Sequence, residues 1–283
     1  MRPPQFQATE APRDLSQSRI EKFLRKSPAE MFTSLRWNLR NTTMHWTCNA
    51  RFGIIDWGPR GKKPAFLAYY PDGLRSFPDL TGLYGRWIRG NKTNNNGDAS
   101  RFMALMLNLR QLQEEGIEGD FAELGVWKGN SAAILADYAA RSDKRLFLFD
   151  TFCGFDRRDI VGVDQDHGCE FEDTSIDFVR QTVGHPEITT YLPGFFPDTV
   201  TDDVRQRTFA LAHIDCDLYE PMKAALEFFY PRMPRGGMLI LHDYSSGTWL
   251  GATRAIDEFY KATGEFISLW PDKSGTAIIR KSH

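Results

Sequence analysis

Carboxylates and histidines follow two apolar runs in the second half of this 283-residue chain. Asp215 and Asp217 come directly after the run FALAHI, and His242 and Asp243 come directly after the run MLIL. Asp215, Asp243 and His242 together offer two carboxylates and an imidazole, which can bind a divalent cation. Mg²⁺ prefers carboxylate and water ligands, whereas histidine tolerates softer metals. The alternative is structural, with acids that cap the helices that follow. We favour helix capping for Asp217 and a functional role for Asp215 and Asp243.

A second candidate site is the segment ELGVWKGNS, which begins at Glu123. Gly125 and Gly129 allow the backbone to pass close to a ligand, but their GxxxG spacing is not the GxGxxG fingerprint of dinucleotide enzymes. Glu123 is unfavourable beside phosphates and suits a cationic ammonium group, such as that of S-adenosylmethionine. The segment alone supports a ligand site and a plain strand-to-helix turn equally.

Asp150 favours the ligand site. It ends the apolar run RLFLFD, 21 residues after Gly129, where an acidic side chain can accept hydrogen bonds from both ribose hydroxyls. A turn or cap role is the structural alternative. The glycine turn and this acid together favour an adenosyl cofactor, although NAD carries such a ribose too.

The elements that must position these residues alternate between strands and helices. The apolar pattern predicts strands over 120–126, 145–150, 188–192, 209–214 and 237–241, and helices over 99–115, 131–140, 175–182, 220–230 and 251–263. This alternation predicts βαβ units and a mostly parallel α/β sheet. Two last strands, over 265–270 and 276–280, have no helix between them and predict an antiparallel hairpin at the sheet edge.

The N-terminal third differs in charge from the rest. Residues 1–100 hold 16 Lys and Arg against 8 Asp and Glu, a net charge of +8, and residues 101–283 hold 19 against 29, a net charge of −10. The basic residues are scattered, which argues against a nucleic-acid-binding arm. A helix is predicted over 18–39, and the breaker cluster NNNGD marks a boundary. We predict a basic accessory segment over 1–95 that lies against the acidic domain over 96–283, in its own chain or in that of a homo-oligomer partner.

The composition is that of an ordinary globular protein, with 41% hydrophobic and 25% charged residues. It excludes collagen-like, coiled-coil and wholly disordered chains. No run reaches the roughly 18 apolar residues of a membrane span, and the N-terminus has no apolar signal region. The four cysteines form no CxxC pair or disulfide framework. We expect a reduced, cytoplasmic protein.

The chain resembles the macrocin O-methyltransferases, class I enzymes that use S-adenosylmethionine to methylate sugar hydroxyls of natural products. The matching segments are FAELGVWKGNSA, LFDTFCGF, YLPGFFPDTV, FALAHIDCDLYEPMKAALEFFYPRMPRGG and LILHDYSSGTWLGATRAIDEF. They run in order over about half of the chain, and HIDxDLYE is the most specific of them. One departure is that His242 stands where the family usually has a first aspartate.

The resemblance implies a class I methyltransferase fold with a Rossmann-like sheet, a sugar-containing small-molecule acceptor and no membrane span. Its cofactor residues carry over to this chain as Glu123, Gly125, Trp127, Gly129, Ser131, Asp150 and Thr151. Asp215 would be general base, with His213 assisting it. Asp215, His242 and Asp243 would hold a divalent cation, with Mg²⁺ the expected ion.

Two other functions stay open at this point. An NAD-dependent oxidoreductase is disfavoured by the missing third glycine and by the DxD strand end. A non-catalytic binding protein on a methyltransferase scaffold is compatible with the fold. The joint presence of Glu123, Asp150, Asp215 and Asp243 favours the enzyme.

Overall fold

The computed structural model describes residues 83, 86, 87, 98–168 and 170–283. These belong to one compact unit, Asp79–His283. The helix predicted over 18–39 and most of the accessory segment over 1–95 lie outside the described residues. The predicted boundary at residues 95 and 96 stays a prediction.

Strands and helices alternate along the described chain. The strands are β1 (Asp120–Leu124), β2 (Leu146–Asp150), β3 (Thr189–Pro193), β4 (Phe209–Ile214), β5 (Met238–Leu241), β6 (Ile267–Trp270) and β7 (Thr276–Arg280). The helices are α1 (Ala99–Glu114), α2 (Asn130–Arg141), α3 (Ile176–Val183), α4 (Asp202–Arg205), α5 (Tyr219–Phe229) and α6 (Leu250–Thr263). In this part of the chain, the sequence prediction lacked the one-turn helix α4 and two short 3₁₀ helices, Gly162–Asp164 and Tyr230–Arg232.

The seven strands form one sheet in the order β3-β2-β1-β4-β5-β7-β6. The first five pair in parallel, and β7 runs antiparallel to both β5 and β6. The predicted α/β fold with an antiparallel C-terminal edge is confirmed. The order in which strands are added to the sheet reverses between β1 and β4, while β1, β2, β4 and β5 remain parallel. Their carboxyl ends therefore meet at one edge, where open α/β sheets bind ligands.

Helices cover both faces of the central strands, which is why those strands are continuous apolar runs. Helices α1, α2 and α3 pack together on one face of the sheet. Helices α5 and α6 pack against each other on the opposite face. An aromatic cluster fills the α5 side of the sheet, and its members are Phe147, Phe149, Phe196, Phe209, Phe228 and Phe229. Among the helices described, none combines the length and the apolar character that crossing a membrane requires.

Candidate active site

A cavity of about 210 Å³ opens at the carboxyl ends of β1, β2, β4 and β5. Its wall combines the glycine turn, the ends of these four strands, an aromatic patch and the turn between β6 and β7. This is the position that the strand order predicts for a ligand. The cavity therefore brings the separate candidate residues of the sequence into one site.

The glycine turn is shaped by a close approach between two strand ends. Gly125 has φ +84°, and a Cβ there would lie 1.9 Å from the carbonyl oxygen of Asp215. Leu124 and Asp215 are joined by a backbone hydrogen bond of 2.8 Å, which holds β1 and β4 together at this point. Only glycine fits here, because both the positive φ and the neighbouring backbone exclude a side chain.

Asp150 is bound to the glycine turn itself. Its Oδ2 accepts hydrogen bonds from the backbone N–H groups of Val126 (2.6 Å) and Trp127 (2.8 Å). Its Oδ1 accepts one from Phe152, at 2.6 Å. Burial raises the pKa of Asp150, and these backbone N–H groups oppose that rise. Asp150 lines the cavity, so it both fixes the turn and presents carboxylate oxygens beside it.

Glu123 and His213 form a buried pair behind the cavity wall. Glu123 is fully buried, and its Oε1 accepts hydrogen bonds from Ser131 Oγ and from His213 Nδ1, the latter at 2.7 Å. Glu123 Oε2 is buried without a hydrogen-bond partner among the described residues. Neither Glu123 nor His213 lines the cavity. Glu123 is therefore linked to the cavity through its hydrogen bond with Ser131, which does line the wall.

Arg101 connects this pair to the acidic end of β4. The side chain comes from the first turn of α1, whose N-cap Asp98 accepts a hydrogen bond from the backbone N–H of Arg101. Arg101 Nη2 lies 2.5 Å from Asp215 Oδ2 and 3.4 Å from His213 Nε2. His213 thus carries its hydrogen at Nδ1 toward Glu123 and accepts from Arg101 at Nε2. Both ring nitrogens of His213 are engaged, so it has no free nitrogen for an acceptor proton.

Asp215, His242 and Asp243 meet at the ends of β4 and β5. Parallel pairing aligns Ile214 with Leu241, which brings the following residues together. His242 Nδ1 lies 2.8 Å from Asp215 Oδ1 and 2.5 Å from Asp243 Oδ2. One ligand atom from each residue lies within 4.8 Å of the others. The expectation that these side chains converge is correct.

The charges of this cluster are already balanced by neighbouring side chains. Burial lowers the pKa of His242 and so does Arg101, but the two carboxylates outweigh both and raise it to about 9. Burial raises the pKa of Asp215, yet Arg101 and His242 together hold it well below its ordinary value. Asp215 is therefore an anion across the physiological pH range, between two cationic side chains.

Asp217 does not cap a helix, contrary to the sequence interpretation. Helix α5 has Leu218 as its N-cap residue, and its first backbone N–H, from Tyr219, donates to Asp164 Oδ2 at 2.7 Å. Burial first, and then the charges of Asp215 and Asp243, raise the pKa of Asp217 well above its ordinary value. Asp164 performs the capping, which the sequence did not indicate because Asp164 lies 55 residues away from Tyr219 in the chain.

An aromatic patch closes the other side of the cavity. Phe155 packs edge-on against both Phe171 and Trp249, and Phe171 does the same against Trp127. Positive φ angles occur at five non-glycine residues in this region: Trp127, Phe152, Phe171, Asp217 and Asp243. Strained backbone of this kind concentrates at functional sites, and four of these five residues line the cavity.

Residues 97–266, more than half of the chain, match the family model of the macrocin O-methyltransferases (TylF). The chain belongs to this family. The resemblance noted in the sequence is thereby confirmed, and the fold is that of the class I methyltransferases.

Two relatives and one solved structure illustrate the match. The 8-demethyl-8-(2,3-dimethoxy-alpha-L-rhamnosyl)-tetracenomycin-C 4'-O-methyltransferase of Streptomyces olivaceus is 31% identical over 46% of this chain and 55% of its own length. The mycinamicin III 3''-O-methyltransferase of Micromonospora griseorubida is 29% identical over 46% of this chain and 57% of its own length. The chain thus spans little more than half of these relatives. The structure of the O-methyltransferase NovP shares the fold, with 22% identity, a TM-score of 0.56 and coverage of 65% of this chain and 80% of that one.

Most of the family residues predicted from the sequence reach the cavity. The cavity is lined by Gly125, Trp127, Ser131, Asp150, Thr151, Asp215, His242 and Asp243, whereas Glu123, Gly129 and His213 lie outside its wall. Gly129 instead adopts a left-handed conformation as the N-cap of α2. The residue roles themselves stay predictions.

Sequence reasoning missed four charged residues that line the cavity: Arg101, Asp156, Asp159 and Lys273. Burial and the charge of Asp156 raise the pKa of Asp159 to about 7. Arg101 had a signal in the sequence, because it stands at helical spacing from Leu105, Leu109 and Leu112 on the buried side of α1. A lone arginine on an apolar helix face requires a buried partner. No comparable apolar periodicity surrounds Asp159, so no sequence pattern pointed to it.

Proposed function

We propose that this chain is an S-adenosylmethionine-dependent O-methyltransferase that acts on a hydroxyl of a sugar carried by a natural product. Family membership supports the reaction, and the name of one relative specifies a rhamnosyl group. The observation that carries the proposal is the cavity itself. Its wall brings the glycine turn, Asp150 and the carboxylate of Asp215 together.

The cavity fits an adenosyl cofactor at the glycine turn. Gly125 keeps this wall free of a side chain at the point where β1 and β4 come closest. Trp127 and Ser131 would contact the methionine end, and Asp150 and Thr151 the ribose. Carboxylates rather than phosphate-binding groups dominate this wall, which favours a sulfonium cofactor over a dinucleotide. When bound, S-adenosylmethionine supplies the electrophilic methyl group.

Asp215 is the residue that we assign to the acceptor hydroxyl. Its carboxylate lines the cavity and its side chain is 20% exposed, so a hydroxyl can donate a hydrogen bond to it. Transfer of the methyl group forms a carbon–oxygen bond as the carbon–sulfur bond breaks, and the hydroxyl proton becomes strongly acidic. A weakly basic carboxylate is then sufficient to accept that proton, while orientation of the oxygen supplies most of the benefit.

The predicted divalent cation does not fit the arrangement of its three ligands. Each oxygen of Asp215 already contacts a cationic side chain, Arg101 or His242, and His242 Nδ1 is shared between two carboxylates. Imidazole is also a poor ligand for Mg²⁺. No catalytic step is therefore assigned to a metal ion here.

Calorimetric titration of the full chain with S-adenosylmethionine, NAD and ATP tests this function. We expect saturable binding of S-adenosylmethionine alone, together with transfer of its labelled methyl group to glycosides that carry a rhamnosyl group with free hydroxyls. Binding of NAD instead would favour the oxidoreductase. Cofactor binding without transfer to any glycoside would favour the non-catalytic scaffold.

A homo-oligomeric state, a cytoplasmic location and the absence of nucleic-acid partners remain part of this proposal. The oligomeric state can be measured by light scattering on the full chain. A monomer at all concentrations would contradict the expected homo-oligomer without affecting the proposed reaction.

A further inference from the structure

Arg101 is a buried cation with no role in the function as proposed so far. The residue is 5% exposed and lines the cavity. Helix α1 holds it in place, because Asp98 caps that helix and also accepts a hydrogen bond from the backbone N–H of Lys273 at 2.7 Å. The guanidinium is therefore fixed at the wall of the cavity, not on a mobile surface chain.

The hydrogen bonds of Arg101 are incomplete. A guanidinium carries five N–H donors, and Nη2 uses the oxygen of Asp215 and the nitrogen of His213. Nε is buried without an acceptor among the described residues. Buried polar groups without partners are rare in folded proteins. An unpaired donor on a residue of the cavity wall points to an acceptor oxygen that arrives with a ligand.

Arg101 also places a fixed positive charge against the acidic cluster. It contacts Asp215 Oδ2 at 2.5 Å, while the other oxygen of the same carboxylate, Oδ1, lies 2.8 Å from His242 Nδ1. The cluster has one negative charge fewer than the family pattern, because His242 replaces an aspartate. The loss of a negative charge and the presence of a fixed positive charge both weaken the attraction for a divalent ion.

We propose that Arg101 supplies the positive charge beside the acceptor hydroxyl that the family resemblance assigns to a divalent cation, and that this chain binds no Mg²⁺ at the cluster. The guanidinium holds the Asp215 carboxylate in position and donates a hydrogen bond to the acceptor, which orients the hydroxyl for transfer. This role rests on the proposed methyl transfer. The claim about metal binding does not, and it is measured separately.

Metal binding is tested with Mn²⁺ alone, followed by its electron paramagnetic resonance signal in the presence of the full chain. We expect no saturable binding to the wild type up to about 1 mM. The double variant R101Q/H242D restores the aspartate of the family and removes the competing cation, and it should gain a site that D215N abolishes. Wild-type binding that D215N abolishes would overturn the proposal.

Calorimetry with S-adenosylmethionine reports whether each variant is folded and whether the proposed function holds. A double variant that binds S-adenosylmethionine but not Mn²⁺ would contradict the claim that Arg101 and His242 exclude the metal. If the double variant does not fold, the wild-type titration alone decides between the two outcomes. Failure of the wild type to bind S-adenosylmethionine would reject the proposed function and leave the metal result valid.

Methyl transfer to a rhamnosyl glycoside with free hydroxyls tests the catalytic role of the charge. Turnover of the wild type should persist in excess chelator, and R101Q should lower kcat by about 100-fold with S-adenosylmethionine affinity little changed. R101K keeps the charge and should recover part of that loss. The matched control is R110Q, on the same helix, because Arg110 pairs with the neighbouring Glu114 and does not line the cavity. Loss of turnover in chelator, or equal effects of R101Q and R110Q, would overturn the role of Arg101.

Discussion

Replacing Gly125 by alanine tests whether the junction of β1 and β4 builds the cofactor site. The added Cβ would stand 1.9 Å from the carbonyl oxygen of Asp215, at a residue whose φ is +84°. A side chain at positive φ costs about 1–2 kcal/mol, and overpacking against rigid neighbours costs about 1–3 kcal/mol. We therefore expect the variant to lose roughly 2–5 kcal/mol of unfolding free energy.

The displaced atoms belong to the site, so ligand binding should suffer as well. Relief of the contact requires Asp215 or the turn to move by about 1 Å, a displacement large enough to cost roughly 100-fold in a positioned site. Urea unfolding measures the stability, and calorimetry measures S-adenosylmethionine affinity. We expect an affinity loss of about 10- to 100-fold in the folded variant.

Gly116→Ala is the matched control. Gly116 has φ +65°, similar to Gly125, but its Cβ would meet no atom within 4 Å. This variant should lose only the unfolding free energy that a side chain at positive φ costs, about 1–2 kcal/mol. It should bind S-adenosylmethionine as the wild type does. Equal losses of stability and of affinity in the two variants would refute the argument, because then the approach of Asp215 would not matter.

Two further variants test the carboxylates of the cavity wall. Asp150→Ala leaves the backbone N–H groups of Val126 and Trp127 without their acceptor. It should weaken S-adenosylmethionine binding by about 1–3 kcal/mol. Unchanged calorimetric affinity in a folded variant would show that Asp150 is not part of the site. Asp159→Asn should match the wild type in stability near pH 4 and exceed it by roughly 1–4 kcal/mol above pH 7. The sign follows because the pKa of Asp159 is raised to about 7 in the folded chain, so the wild type loses stability as the pH rises from the ordinary carboxyl pKa to that value. A difference in urea midpoint that is independent of pH would contradict this.

The sequence by itself determined the order of the seven strands and the five longer helices from Ala99 to Arg280. Local apolar periodicity carries that information, since a buried parallel strand and an amphipathic helix have different patterns. The strand ends also placed Asp150, Asp215 and Asp243 at one edge, because the carboxyl ends of parallel strands meet there. These inferences required only the local sequence pattern and the general geometry of parallel α/β sheets.

Only the tertiary structure decided which side chains are partners. Asp217 stands two residues before α5, yet Asp164 caps that helix from a 3₁₀ turn 55 residues upstream of Tyr219. Glu123 and His213 lie on paired strands and bind each other, so neither reaches the cavity. Such contacts depend on side-chain direction and packing across long sequence separations, which local patterns do not encode.

Arg101 is the clearest example of the division between the two kinds of information. Its place on the apolar face of α1 was visible in the sequence and implied a buried partner. That the partner is Asp215, an expected metal ligand 114 residues away, depends on how α1 packs over the ends of the strands. The helix pattern determined that this charge is buried, and the packing of α1 against the sheet decided which carboxylate it neutralises.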